Sequence, residues 1–366
     1  MNVRQLSFRR AALKGRTTRR RAPLNGWTTS CVILAPFLFA GTAAAQLPSI
    51  RVVATGGTIA GTGSGDLSAA DLVARIPELS KVARISTEDF SRIGSSSMTP
   101  ELQHRLARRI NQLFASSDAP AGIVITHGTD SLEETSFLLD LLIESDRPVV
   151  FAAAQRPPSE PDSDGPRNLL NAVRVAASPQ ARGAGVLVTL NGEIHAARDV
   201  RKTHAVSLDA FKSPDGGGPV GHIDGSHVVI GRKPLRRLTL RPQAVEPRVE
   251  LLTLTAGSDG RLILAASEFA QAVVLEVFGR GNMAPVIMQA VGKVREKGVI
   301  VVFTTRTRGG RVELSAEANA AGVISGEDLD GLKARMLLVA ALGVTRDRAV
   351  IQSYFERLAG TGGQAP

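Results

Sequence analysis

The run IRVVA (50–54) ends in Thr55-Gly56-Gly57-Thr58-Ile59-Ala60-Gly61. A β-branched apolar run closed by a glycine pair reads as a buried strand leading into a tight turn. Three further runs of the same kind follow: GIVIT (122–126), PVVFA (148–152) and GVLVT (185–189). Near-continuous apolar runs suit parallel strands covered on both faces. Helical patterns fill the intervals. Thr99-Pro100 caps a helix through about Ala115, apolar residues recur at helical spacing over 131–144, and Gly165-Pro166 introduces a helix at 167–177. Strand and helix alternate, so the expected class is α/β, with a larger N-terminal, doubly wound, mainly parallel sheet domain over 46–235.

The polar segment RRLTLRPQAVEPR (236–248) carries two prolines and no sustained period, and reads as an interdomain linker. A smaller C-terminal α/β domain is expected over 249–366. Its strands are VELLTL (249–254), AVVLEVF (272–278) and GVIVVFT (298–304), with helices near 284–296 and 329–342. There is no internal repeat.

Of 366 residues, 44 are Lys or Arg and 34 are Asp or Glu, and a net charge of +10 invites a nucleic-acid reading. Eight of those cations lie in residues 1–45 with no acid among them, so the remaining chain is close to neutral and that reading fails. The basic stretch precedes the apolar run CVILAPFLFA (31–40) and then Gly-Thr-Ala-Ala-Ala, the order of a cleaved secretory signal with its cut after Ala45. The run is shorter than the roughly 20 residues that span a bilayer and contains Pro36, so no membrane anchor is expected after cleavage. Export to the periplasm is the expected localisation. Cys31 and Trp27 both fall in this leader, which removes disulfides and thiol chemistry from the expected mature chain. The histidines lack ligand spacing, and Glu101 with His104 reads as a solvated pair on a helix face, so neither metal nor cofactor is expected.

The Gly56-Gly57 turn places Thr58 at the carboxyl edge of the sheet, where open α/β folds bind ligands. A phosphate loop is the rival, but no GxxxxGK[ST] is present, and the single G-x-G-x-x-G, from Gly216 to Gly221, contains Pro219. A second strand, GIVIT, leads into His127-Gly128-Thr129-Asp130-Ser131. Thr-Asp before a helix is by itself an ordinary N-cap. Two threonine-bearing turns after two strands are harder to dismiss, because a doubly wound sheet gathers such turns at one crevice.

In TGGTIAG (55–61) and ITHGTD (125–130) the chain resembles the bacterial type II L-asparaginase and glutaminase-asparaginase family. The similarity extends to Ile93-Gly94-Ser95-Ser96-Ser97-Met98, to Arg156-Pro157 through Asp164-Gly165-Pro166, and to Arg198-Asp199-Val200-Arg201-Lys202-Thr203, in the family's order. The resemblance implies hydrolysis of L-asparagine, and of L-glutamine as a further substrate, with Thr58 as the nucleophile of a covalent two-step reaction. It implies that Thr129, Asp130 and Lys202 form a second catalytic group, in which Lys202 accepts a proton through Thr129. A free lysine, with a pKa of about 10.4, is a poor base until its surroundings change that. Without the resemblance, Lys202 would read as a solvated charge in a basic run. Ser95 would bind the substrate carboxylate, and Asp130 its ammonium beside Ser96. Backbone N–H groups near Thr58 and Thr129 would serve the oxyanion.

The resemblance further implies a homotetramer, a dimer of dimers, in which the smaller domain of a neighbouring subunit contributes Asn282 and Glu317; Glu313 is the alternative glutamate. Two departures stand out. The family's lid between the TGGTIAG turn and the next helix carries an activating tyrosine, whereas here Gly61-Thr62-Gly63-Ser64-Gly65-Asp66-Leu67 leads directly to a helix capped at Ser68. The single tyrosine of the chain is Tyr354. Ser96 also replaces the longer Gln or Glu of relatives. A periplasmic solute-binding protein would share the leader, two α/β domains and the linker, but needs no hydroxyl nucleophile beside a base. A weakly active homologue is the other alternative.

Overall fold

The computed structural model describes residues 46–62, 65–234 and 237–361, so the leader expected over 1–45 lies outside the described residues. Eight strands form the larger sheet: β1 (Ser49–Ala54), β2 (Arg84–Asp89), β3 (Gly122–Thr126), β4 (Val149–Ala152), β5 (Val186–Leu190), β6 (Glu193–Ala196), β7 (Gly221–Asp224) and β8 (His227–Ile230). Their spatial order is β8-β7-β6-β5-β4-β3-β1-β2. From β2 through β5 the neighbours are parallel, and β5 through β8 continue as antiparallel pairs. Four more strands, β9 (Val249–Thr253), β10 (Ala272–Val277), β11 (Ile300–Thr305) and β12 (Ile324–Ser325), form a second, wholly parallel sheet.

The helices are α1 (Ala69–Ala74), α2 (Pro100–Ala115), α3 (Leu132–Leu142), α4 (Gly165–Ala177), α5 (Arg261–Ala266), α6 (Pro285–Glu296), α7 (Ala316–Ala320), α8 (Gly331–Ala341) and α9 (Arg348–Ala359). Helix starts follow sequence chemistry. Thr99 caps α2 ahead of Pro100, and Ser68 and Asp71 exchange hydrogen bonds as a capping box on α1. One apolar layer joins α2 and α3 under the large sheet to α8 and α9 under the small one, with Phe137, Phe151, Met336 and Phe355 in it. The opposite face of the large sheet packs on α1 and α4 through Leu72, Leu169 and Val173.

β1 lies between β2 and β3, the place where the order of an open sheet reverses. Ala54 is level with Thr126 across the β1–β3 ladder, so the turns after these two strands leave the sheet side by side. The crossovers β3–α3–β4 and β4–α4–β5 step across the sheet in the same direction, yet α3 and α4 pack on opposite faces. They therefore have opposite hands. The crossovers through α1 and α2 share the hand of the one through α3, which leaves the α4 crossover as the exception to the right-handed rule.

The strands and helices read from apolar periodicity lie within a residue or two of those observed. The polar edge strand β2, RISTED, and the short strands β6 and β7 lack an apolar run and carry no such signal, and the three apolar residues of β8, HVVI, are too brief a run to announce a strand. The solvated pair expected at Glu101 and His104 is corrected: Glu101 is exposed but His104 is buried, facing the Pro242 backbone. The reason lies in 237–243, where buried Leu238 and Leu240 draw the segment onto the core and the Leu240 N–H donates to the Leu141 carbonyl at 2.7 Å.

Candidate active site

Three turns nest at the carboxyl edge of the large sheet. Gly56 and Gly57 have φ of 100° and 84°, a conformation that disfavours side chains. A Cβ at Gly56 would lie 2.5 Å from the Ile93 carbonyl oxygen, and one at Gly57 would lie 2.3 Å from Cα of Gly128. Gly128 is hemmed in on its other side, since its Cβ would meet Ser95 Oγ at 2.5 Å. Thr55 ties the first turn to β3: its N–H and its hydroxyl both donate to the Thr126 carbonyl, at 3.1 and 2.8 Å. The Ile93 N–H donates to the Thr55 carbonyl at 3.2 Å, which brings in the third turn. The glycines are thus required by close backbone approach, and they bring residues 58, 95 and 129 onto neighbouring turns.

Ser95 is 4% exposed. Its hydroxyl oxygen accepts the Asp130 N–H at 3.1 Å, and its carbonyl accepts the Ser131 hydroxyl at 2.6 Å. Thr129 is buried as well, and Thr58 is half-buried. Lys202 arrives from the two-residue strand Arg201–Lys202. Its ammonium donates to Thr129 Oγ1 at 2.9 Å and to Asp130 Oδ1 at 3.1 Å. The Asp130 side chain is 66% exposed, so its carboxylate faces outward while the threonine hydroxyl is enclosed. Arranged this way, a hydroxyl, a carboxylate and an amine can exchange a proton at the edge of an open crevice.

Ser96 is exposed beside Ser95. Asn282 and Glu317 are exposed on the smaller sheet's side of the chain, Asn282 at a bridge with Phe278 and Glu317 in the first turn of α7. Among the described residues neither side chain is hydrogen-bonded or ion-paired with the three turns. Glu313, the alternative to Glu317, pairs with Arg280 at 2.7 Å.

Several residues that shape this site had no role assigned from the sequence, two of them, His127 and Asp164, although they stand inside the motifs. His127 is fully buried, donates from Nδ1 to the Gly128 carbonyl at 2.6 Å and packs edge-on to Phe151. Burial lowers its imidazole to about 4, so it is a neutral brace for the turn. Asp164 accepts N–H groups from Gln155 at 3.1 Å and Arg156 at 3.0 Å, which folds the 155–164 loop on itself before α4. Glu133 is buried and accepts the Lys202 N–H at 3.2 Å. In sequence, Glu133-Glu134 reads only as acids favoured in a first helical turn.

The family described as "Asparaginase, N-terminal" matches residues 49–236, and "Glutaminase/Asparaginase C-terminal domain" matches 248–355. The chain is 38% identical to the probable periplasmic L-asparaginase of Haemophilus influenzae, over 86% of this chain and 94% of that one. It is 35% identical to L-asparaginase 2 of Escherichia coli, over 86% and 94%, and 35% identical to the glutaminase-asparaginase of Pseudomonas fluorescens, over 85% and 90%. A crystal structure of a probable cytoplasmic L-asparaginase from Campylobacter jejuni superposes with a TM-score of 0.79 at 36% identity, covering 84% of this chain and 99% of that one. Fold, nested turns and overall similarity agree, and the chain belongs to the bacterial type II L-asparaginase and glutaminase-asparaginase family.

Proposed function

We propose that this protein hydrolyses the side-chain amide of L-asparagine to L-aspartate and ammonia, with L-glutamine as a second substrate, through an acyl-enzyme on Thr58. The observation that carries the reading is the contact of the Lys202 ammonium with Thr129 Oγ1 at 2.9 Å and Asp130 Oδ1 at 3.1 Å, on a turn packed against the one bearing Thr58. A solute-binding protein has no use for that grouping.

In this mechanism the Asp130 carboxylate holds the substrate ammonium and the Ser95 turn its carboxylate, which aims the amide carbon at Thr58. The Thr58 oxygen bonds to that carbon as its proton leaves, giving a tetrahedral oxyanion held by N–H groups near Thr58 and Thr129. The C–N bond then breaks, the nitrogen takes up the proton that Thr58 released, relayed to it within the site, and ammonia departs, leaving an ester on Thr58. Water adds to the ester carbon as the Thr129 hydroxyl takes its proton and passes its own to Lys202, which accepts it as the neutral amine. The Thr58–acyl bond breaks as the Thr58 oxygen regains that proton from Lys202, and aspartate leaves. No metal or cofactor enters.

Residues 46–235, 236–248 and 249–366 are in this reading the catalytic domain, the linker and the smaller domain, and residues 1–45 direct export to the periplasm. The exposed Asn282 and Glu317 serve the crevice of a neighbouring subunit in a homotetramer, where Ser96 lines the ammonium end. Ammonia release from L-asparagine and L-glutamine, measured beside a Thr58→Ala blank, tests the activity. Tight binding of either amide without turnover would replace it with the solute-binding reading.

A further inference from the structure

Lys202 stands on a strand of two residues, paired among the described residues with Phe211 and Lys212, which is too short a ladder to fix a side chain alone. Further ties of this segment run to buried charges. The Lys202 N–H donates to Glu133 Oε2 at 3.2 Å, and the Val200 carbonyl accepts from Lys333 Nζ at 2.5 Å. Between them, Arg201 reaches Asp330 and Asp215, each at 2.8 Å. Asp330 caps α8, where its Oδ1 accepts the Lys333 N–H at 2.9 Å, and its Oδ2 lies 3.7 Å from the Lys333 ammonium.

Glu133, Asp330 and Lys333 are each no more than 5% exposed. Burial pushes the Glu133 carboxyl up, the Lys333 ammonium pulls it back, and Asp330 and Arg308 add smaller opposed effects. Ion clusters desolvated in this way are a costly means of stabilising a fold, because apolar residues of the same volume serve as well. This cluster spends hydrogen bonds on Val200 and Lys202 and an ion pair on Arg201 between them, and Lys202 carries the amine.

We propose that Glu133 and Lys333 are positioning residues that hold the Lys202 ammonium against Thr129, so that α8, from the smaller sheet's domain, sets the base of the adjoining site. This inference rests on the proposed amidohydrolase activity, so wild-type ammonia release is the first arm of the test, and its absence overturns both. With turnover established, Lys333→Met is expected to lower kcat by roughly tenfold or more, since small displacements of a catalytic group are costly, with KM within about twofold. Lys333→Arg, which restores a donor to Val200, recovers part of the loss. Should Lys333→Met fail to fold, the pair Glu133→Gln and Glu133→Leu decides. The glutamine oxygen can still accept the Lys202 N–H and keeps most of kcat, whereas the leucine loses it while melting cooperatively. Equal kcat in both, or a loss that tracks only the unfolded fraction, overturns the positioning role and leaves the amidohydrolase reading standing.

Discussion

The ammonium of Lys202 donates to the Thr129 hydroxyl at 2.9 Å across 73 positions of sequence. One partner lies on the turn after β3 and the other on a short ribbon beyond β6, so their meeting belongs to the tertiary fold. An exposed lysine would be free to sweep solvent, but here the stem is mostly enclosed and the amine has two acceptors. The contact therefore gives the amine a defined direction towards the enclosed hydroxyl.

Replacing Lys202 by Met keeps the aliphatic stem and deletes the donor. Turnover is expected to fall by roughly a thousandfold, within the range assigned to a positioned acid or base. Steady-state ammonia release across pH 5 to 10 checks it. Ordinary kcat at every pH would return Lys202 to the status of a surface charge.

Thr58→Ala removes one hydroxyl from a half-buried turn, and its effect on folding is expected to be small. If Thr58 is the nucleophile as proposed, nothing substitutes for it and kcat should drop by at least about 10⁴-fold, comparable to losses in other covalent enzymes. Mass spectrometry of enzyme quenched during turnover should find an aspartyl adduct on the peptide containing Thr58. An adduct elsewhere would move the nucleophile.

Gly57→Ala addresses the packing of the turns. The new methyl would stand 2.3 Å from backbone atoms of Gly128, at φ +84°, and neither strand can retreat because Thr55 is bonded to Thr126. The expected cost is on the order of 3 kcal/mol or more, by overpacking and backbone strain together. Urea unfolding measures it. A variant of wild-type stability would mean that the turns are not locked against each other.

What the sequence disclosed follows the strength of local signals. The buried strands β1, β3, β4 and β5 are continuous apolar runs, and α2 announces itself through Thr99 and Pro100, so the α/β class and the sheet edge could be read directly. β2 alternates polar residues at the rim of the sheet, where one neighbour suffices, and its pattern is that of a loop. At the site, Thr58 and Thr129 carry motifs because glycine and hydroxyl chemistry repeats along the chain. Glu133 and Lys333 do not, since burial of a charge depends on partners 69 and 133 residues away. The reversed hand of the α4 crossover was equally hidden, being a relation among three elements.

His127 is expected to leave a mark on acid stability. Unfolded, its imidazole titrates near 6.5; buried, burial lowers it to about 4. The unfolded chain therefore binds more protons between those values, so this contribution is complete above pH 6.5 and is lost as pH falls towards 4. The stability difference between wild type and His127→Gln, from urea unfolding at pH 7 and pH 4.5, should shrink by about 2 kcal/mol at the lower pH. Glu133, Glu134 and Asp140, raised by burial, contribute with the opposite sign but are common to both proteins. A difference constant with pH would mean that His127 is solvated or charged in the fold.

Gly61–Thr62 pairs with Gly65–Asp66 in a two-residue ribbon, and the Leu67 N–H returns to the Ala60 carbonyl at 2.8 Å, so the chain turns back at once towards α1. Tyr354 lies on α9, packed partly buried against the core shared by the two sheets, and is committed to that packing. A closing lid excludes water and completes the catalytic group around substrate. With so short a ribbon, the crevice is expected to stay open, giving slower turnover than long-lid, tyrosine-bearing relatives and weaker discrimination between asparagine and glutamine. Inserting a lid of about ten further residues with its tyrosine between Gly61 and Ser68 should raise kcat by roughly tenfold or more, the scale of one positioned proton-transfer group. A tyrosine-to-phenylalanine version of the same insert separates activation from closure. If the native enzyme already matches its long-lid relatives and the insert gives no gain, Thr58 is activated by a group of this chain's own, and the open-crevice account fails.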